Sequence, residues 1–149
     1  MTAATCLLIL TDGDRVLLGR KLRGFGTGYL VAPGGHVEPG ETHEEAAVRE
    51  TWEETGLVAS DLEPAGRVRF RFVDKATWDM DVALFRSSTW SGEPTASDEL
   101  APQWHPIDDL PLDRMWADAP HWLPTVLAGA SVDLTITYAA DARTILTVE

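Results

Sequence analysis

Glu50, Glu53 and Glu54 stand three and four residues apart, the spacing that lines side chains along one face of a helix. Carboxylates so placed repel one another, and a helix accepts them readily only where a cation or a basic partner neutralises the face. All-oxygen ligands without cysteine or clustered histidine select a hard divalent ion, here Mg2+ with Mn2+ as a substitute, and Mg2+ commonly shares such a site with water and phosphate oxygens. The chemistry on offer is the capture of such an ion together with water and the oxygens of a phosphate-bearing ligand. A solvated acidic helix carries the same trio, so its surroundings must decide.

The helix that would hold these residues is well bounded. Thr42 and Glu45 have the spacing of a capping box, and Gly56 supplies the left-handed residue that ends the helix. On its wheel Val48, Thr51, Trp52 and Thr55 fall away from the carboxylates and are expected to face the core. Before it, Thr5 to Leu10 and Arg15 to Gly19 flank Thr11-Asp12-Gly13-Asp14, the pattern of a β-hairpin. A glycine-rich basic loop, Arg20 to Gly28, and a short strand, Tyr29 to Ala32, lead to Pro33-Gly34-Gly35. After the helix, Arg67 to Phe72 alternates with period two, placing Val68, Phe70 and Phe72 on one face, and Trp78 to Phe85 is its antiparallel partner. A strand near Gln103 to His105, a helix from Pro120 toward Leu127, and strands Val132 to Tyr138 and Thr144 to Val148 complete the chain. Many strands and two helices in mixed order indicate an α+β sandwich around a mixed sheet, in one domain spanning 1–149.

Charge narrows the partners. The chain has 149 residues, 12 Lys plus Arg against 24 Asp plus Glu, and a net charge of −12, which excludes a partner held mainly by a nucleic-acid backbone. The balance is local: Glu38 to Glu54 carries seven Glu against Arg49, whereas Arg15 to Val37 carries Arg15, Arg20, Lys21 and Arg23 with no acid. One segment suits cations and its neighbour anions. Cys6 is the one cysteine, so an internal disulfide is excluded and a reducing, cytoplasmic setting is expected. The apolar run Cys6 to Leu10 is too short for a membrane span or a signal-peptide core, so no membrane partner is expected.

Gly35, Glu41 and the run Arg49-Glu50-Thr51-Trp52-Glu53-Glu54-Thr55-Gly56-Leu57 resemble the full signature of the Nudix hydrolases, with every charged and glycine position present. Thr51 departs, standing where the family usually has an aliphatic residue. The resemblance implies an α/β/α sandwich in which a loop, helix and loop hold divalent ions against a diphosphate. It makes Glu50, Glu54 and the Gly34 carbonyl metal ligands, and Glu53 a ligand or the base that activates water. Glu41 and Arg49 would pair to orient the site, and Glu99 in Ser97-Asp98-Glu99 is the candidate for a further carboxylate ligand from outside the helix.

The flanks, among them Val16 to Gly19, Lys21, Arg23 to Gly26, Met80-Asp81, Ser97 to Glu99 and Met115 to Pro124, resemble the MutT-type and animal-type oxidised purine nucleoside triphosphate diphosphatases. This implies pyrophosphate release from a damaged purine nucleotide such as 8-oxo-dGTP. Phe25, Phe70, Phe72, Met80, Trp116 and Trp122 are candidate walls for a base, and Lys21 and Arg23 candidate phosphate contacts. Thr5 and Asp118 are candidate polar readers, while Val31 and Ala119 stand where the resembling enzymes have an Asn and a second acid that read the base edge. Trp52, Trp90 and Trp104 are assigned to structure, and His36, His43 and His105 to the surface, with His121 bordering the pocket. The expected partner is a small nucleotide met by a monomer, with a dimer left open. The alternatives are a Nudix hydrolase of another nucleotide, one of nucleoside diphosphate sugars or dinucleotides, and a non-catalytic nucleotide-binding regulator.

Overall fold

A computed structural model describes residues 2–149. Its centre is β1 (Ala3–Asp12), whose alternate side chains enter two different cores. Cys6, Leu8 and Leu10 face one side with Leu17, Leu57 and Phe85, and Ile9 faces the other with Val68, Leu84 and Ile136. A strand buried on both faces must lie inside a sheet covered on both sides. The first cover is α1 (His43–Thr55), through Ala46 and Ala47, and the second is α2 (Ala119–Leu127), through Trp122, Leu123 and Val126. The α/β/α arrangement follows directly.

Around β1 the sheet is mixed. β2 (Arg15–Lys21) meets β1 only at Thr11↔Val16 and Asp12↔Arg15, then turns away to pair with β3 (Leu30–Val31) and β9 (Leu100–Pro106). The expected hairpin forms at its turn, but its strands part after two pairs. The rest of β1 is occupied by β4 (Gly34–His36), antiparallel, and β7 (Met80–Ser87), parallel. β6 (Glu63–Phe72) pairs antiparallel with β7, then β10 (Val132–Tyr138) and β11 (Ile145–Val148) extend that edge. A separate ribbon joins β5 (Val58–Ser60) to β8 (Thr89–Ser91). Along β6, Val68 and Phe72 are buried and Phe70 half-buried, while Arg67, Arg69 and Arg71 pair with Asp133 and Asp81 on the other face. Trp78 lies in a 3-10 turn before β7 rather than in the strand.

Helix α1 begins and ends as its sequence requires. Thr42 accepts the Glu45 N–H, Glu45 reaches back to the Thr42 N–H, and Gly56 has φ +78°. Its inward face is rotated from the expected one. Ala46, Ala47, Thr51, Thr55 and the carboxylate-bearing Glu54 are buried, whereas Val48 is only half-buried and Trp52 is 58% exposed. Two alanines let the helix approach β1 closely, so the buried stripe runs beneath the glutamates and Trp52 turns to solvent. His105 also departs from expectation: it is buried in β9 and its Nε2 has no hydrogen-bond partner among the described residues.

Candidate functional site

The acid cluster forms where three distant segments meet. β4 enters antiparallel to β1 so closely that a Cβ on Gly34 would lie 2.0 Å from the Cys6 carbonyl oxygen. A Cβ on Gly35 would lie 2.6 Å from the Glu50 carboxyl carbon, so glycine there lets α1 set its carboxylates against the loop backbone. The Gly34 N–H donates to Glu54 Oε1 at 2.8 Å, which compensates part of the burial of that side chain. Carboxylate oxygens of Glu50, Glu54 and Glu99 lie within 4.8 Å of one another.

Arg49 organises the other edge of the helix. Its Nε donates to Glu41 Oε2 at 2.7 Å, and Nη2 to Glu41 Oε1 and to the His36 carbonyl, both at 3.0 Å. Nη1 donates to Glu50 Oε1 at 2.9 Å and to Glu53 Oε2 at 3.2 Å. Glu53 is half exposed and its side chain stands outside the group formed by Glu50, Glu54 and Glu99. Charge follows this geometry. The Arg49 guanidinium holds Glu41 down to about 2, whereas burial raises Glu50 despite its bond from Arg49. Burial pushes Glu54 up to about 8 against the Gly34 N–H, with Glu50 and Glu99 adding repulsion. Three oxygens this close, with no sulfur or nitrogen ligand beside them and with Glu54 raised chiefly by its burial, fit a hard divalent cation.

Beside the cluster lies an aromatic wall. Trp116 stacks on Tyr29 with ring centroids 4.5 Å apart and on Phe25 at 5.2 Å, and Phe25 also tilts against Trp78 at 4.8 Å. Tyr138 stacks on Phe72 at 5.3 Å and presents its edge to Trp116 at 6.3 Å. Phe70 and Met80, both half-buried, face each other in the β6–β7 register. The wall joins the cluster through the glycine-rich loop: Leu22 N–H bonds the Glu99 carbonyl at 2.9 Å, and Arg23 Nη2 donates to Glu99 Oε1 at 2.9 Å.

The remaining candidates are placed as follows. Lys21 ends β2 and its charge reaches Glu54; Val31 is half-buried in β3. Thr5 is buried and its hydroxyl donates to the Asp81 carbonyl at 3.3 Å. Asp118 is buried, with Oδ1 accepting from the Tyr138 hydroxyl at 2.5 Å and Oδ2 from the Trp122 indole N–H at 2.7 Å. Burial raises its pKa against both bonds. Trp122, Ala119 and Phe72 belong to the core on the α2 side, and His121 is exposed. Sequence reasoning passed over Tyr29, Trp78 and Tyr138. The signal for Tyr138 was its place at the end of an alternating strand, where the parallel register sets it beside Phe72.

The NUDIX domain model matches residues 1–126. The chain belongs to the Nudix family. An oxidized purine nucleoside triphosphate hydrolase of Danio rerio is 47% identical over 121 residues, covering 81% of this Nudix chain and 77% of the fish protein. The protein of the same name in Mus musculus is 41% identical over 121 residues, with shares of 81% and 77%. The crystal structure of the mutator MutT protein from Bacillus halodurans superposes with a TM-score of 0.85 at 29% identity, covering 99% of this chain and 96% of that one. The family match takes in α1 whole, and the structural match covers nearly the whole chain.

Proposed function

We propose that this chain is a Mg2+-dependent Nudix hydrolase that cleaves an oxidised purine nucleoside triphosphate, such as 8-oxo-dGTP, to the monophosphate and pyrophosphate. The observation that carries the reading is the junction of Glu50, Glu54 and Glu99 with an aromatic wall through one loop. A cation site alone has no use for stacked rings, and a base pocket alone has no use for clustered carboxylates. The names of the fish and mouse relatives support the same substrate class. The whole chain acts as one domain and as a monomer on free nucleotides, and the single buried Cys6 suits a reducing cytoplasm.

Glu50, Glu54, Glu99 and the Gly34 carbonyl would hold the cation, Mg2+ or in its place Mn2+. When bound it neutralises phosphate oxygens and makes water more acidic. The chain's own residues do the rest. Glu54 keeps Oε1 on the Gly34 N–H, so its carboxylate has one fixed orientation, and it must release its proton before it can serve as a ligand. Arg49, clamped by Glu41, fixes Glu50 and leaves Glu53 tethered by one bond, half exposed and suited to accept a proton from attacking water. Phe25, exposed at the loop tip and backed by Trp116, offers apolar surface to a base, and Lys21 supplies positive charge toward the phosphates.

A second reading keeps the chemistry and changes the base. Val31 and Ala119 offer no polar reader, and both Asp118 oxygens already accept bonds from this chain. A pocket that lacks hydrogen-bonding partners discriminates weakly. The deciding experiment is a panel of dGTP, 8-oxo-dGTP, 2-oxo-dATP, dATP, dCTP and ADP-ribose with purified protein and Mg2+, following pyrophosphate, orthophosphate and the nucleotide product. Preference for an oxidised purine with pyrophosphate release is the expected result. Cleavage of dGTP as efficient as that of 8-oxo-dGTP overturns the substrate and leaves the hydrolase.

A further inference from the structure

Two of the three clustered carboxylates carry an arginine, and the two arginines are held very differently. Arg49, on Glu50, is also fixed by both oxygens of Glu41, by Glu53 and by the His36 carbonyl. It cannot leave without breaking that set. Arg23, on Glu99, makes a single 2.9 Å contact in a pair whose side chains are 63% and 49% exposed, and an open monodentate pair of this kind is weak. Arg23 also opens the loop whose Gly24, Gly26 and Gly28 have φ of +82°, +83° and +96° and whose tip is Phe25, laid over Trp116. Side-chain contact between this loop and the acid cluster runs through the Arg23–Glu99 pair.

We propose that Arg23 is a positioning residue whose charge is shared in turn between the cation site and the substrate. This rests on the reading of the acid cluster as a divalent cation site. Without a cation, the guanidinium neutralises Glu99 and ties the Phe25 loop to the cluster. With Glu99 engaged as a ligand, its charge is spent and the guanidinium is released at the boundary between carboxylates and aromatic wall. That boundary is where a phosphate chain must pass if its base lies on the wall and its anhydride lies at the cluster. A free arginine there suits phosphate oxygens, which accept its parallel N–H donors as a carboxylate does. Cation loading therefore prepares the phosphate site, and the loop gains freedom at the same moment.

The test is made first without nucleotide. In hydrogen exchange of the peptide spanning Leu22 to Tyr29, adding Mg2+ to chelator-treated wild type is expected to speed exchange at 23–28. Arg23→Gln is expected to exchange fast already and to ignore Mg2+. Calorimetric titration with Mg2+ alone should show Arg23→Gln binding about two- to fivefold tighter, because a competing cation is gone. Arg23→Lys, which keeps the charge, should return affinity toward wild type. In turnover, Arg23→Gln should raise KM about tenfold with kcat within about twofold. Unchanged or weaker Mg2+ binding in Arg23→Gln, or loop exchange indifferent to Mg2+ in wild type, overturns the proposal. Because these readouts contain no nucleotide, they stand if the substrate proves different. Undiminished Mg2+ binding by Glu54→Gln would instead sink the cation site itself.

Discussion

Among single residues, Glu54 and Glu53 separate two kinds of carboxylate on one helix. Glu54 is buried, bonded to the Gly34 N–H and raised to about 8, while Glu53 is half exposed and bonded only to Arg49. In the metal-free protein the folded state keeps a proton on Glu54 that the unfolded chain sheds at about 4.5. The folded pKa is the higher one, so this contribution to stability is complete below about 4.5 and is lost as pH rises toward about 8. Glu41 and Asp141, each lowered to about 2, have the opposite sign: their contribution is present above the ordinary carboxylate range and is lost only as pH falls through it. With chelator present, the difference in stability between Glu54→Gln and wild type should therefore grow in favour of the variant between pH 5 and 8, as measured by urea unfolding. A flat difference curve would mean that Glu54 is ionised in the folded protein. Cation affinity should climb over the same range, since binding must displace that proton. In turnover, Glu54→Gln and Glu53→Gln should each lower kcat by about 10²-fold or more, Glu54→Gln through lost cation affinity and Glu53→Gln with affinity nearly intact. Loss of only a few-fold in Glu53→Gln would move the proton acceptor elsewhere.

Helix α1 shows how a site helix is held and where it is imperfect. Its capping box and Gly56 end are local, so both were legible in the sequence. Its inward face was legible only in part: Thr51 and Thr55 are buried as the wheel indicates, but the wheel cannot reveal that Ala46 and Ala47 admit the helix close to β1, nor that a backbone N–H waits for Glu54. β4 was missed for a related reason: Gly34-Gly35-His36 has no apolar alternation, and it becomes a strand only because Cys6 and Leu7 lie alongside it. The three helix glutamates could be read from spacing, and Arg49 and Glu41 from the resemblance to the Nudix signature, whereas Tyr29, Trp78 and Tyr138 needed the sheet register and loop path to reach the aromatic wall. One helix residue remains at odds with its surroundings. Thr51 is fully buried and its hydroxyl has no partner among the described residues, although the Thr55 hydroxyl one turn on bonds the Thr51 carbonyl at 2.6 Å. Thr51→Val keeps the branched shape and removes the unsatisfied group, so it should stabilise the fold by about 1 kcal/mol, with kcat and KM unchanged. Denaturant midpoints decide this, and a destabilised variant would show that the hydroxyl has a partner in solution.

Across the whole molecule, the acid cluster works as a junction between parts that are far apart in sequence. Glu54 and Glu50 come from α1, Gly34 from β4 and Glu99 from the segment leading into β9. These segments sit in different parts of the fold: α1 covers one face of the sheet, β4 pairs with β1 within it, and β9 pairs with the strand that bends away from β1. An unfolded chain cannot bring three such carboxylates within reach of one ion, so a divalent cation held at the cluster would bind the folded state selectively. Linkage then makes binding visible as stability: a cation at about 100 times its Kd adds about 2.7 kcal/mol, or roughly 5–10 °C in Tm for a chain of this size. The net charge of −12 makes a second, diffuse effect expected, because any salt screens the repulsion among surface acids. The two effects separate by saturation and by valence. Mg2+ should raise Tm along a hyperbolic curve that levels off at millimolar or lower concentration. NaCl of equal ionic strength should give a smaller shift, and Glu50→Gln combined with Glu54→Gln should leave only that shift. If the double variant responds to Mg2+ as wild type does, the stabilisation is screening of the acidic surface, and the cluster does not draw the three segments together around an ion.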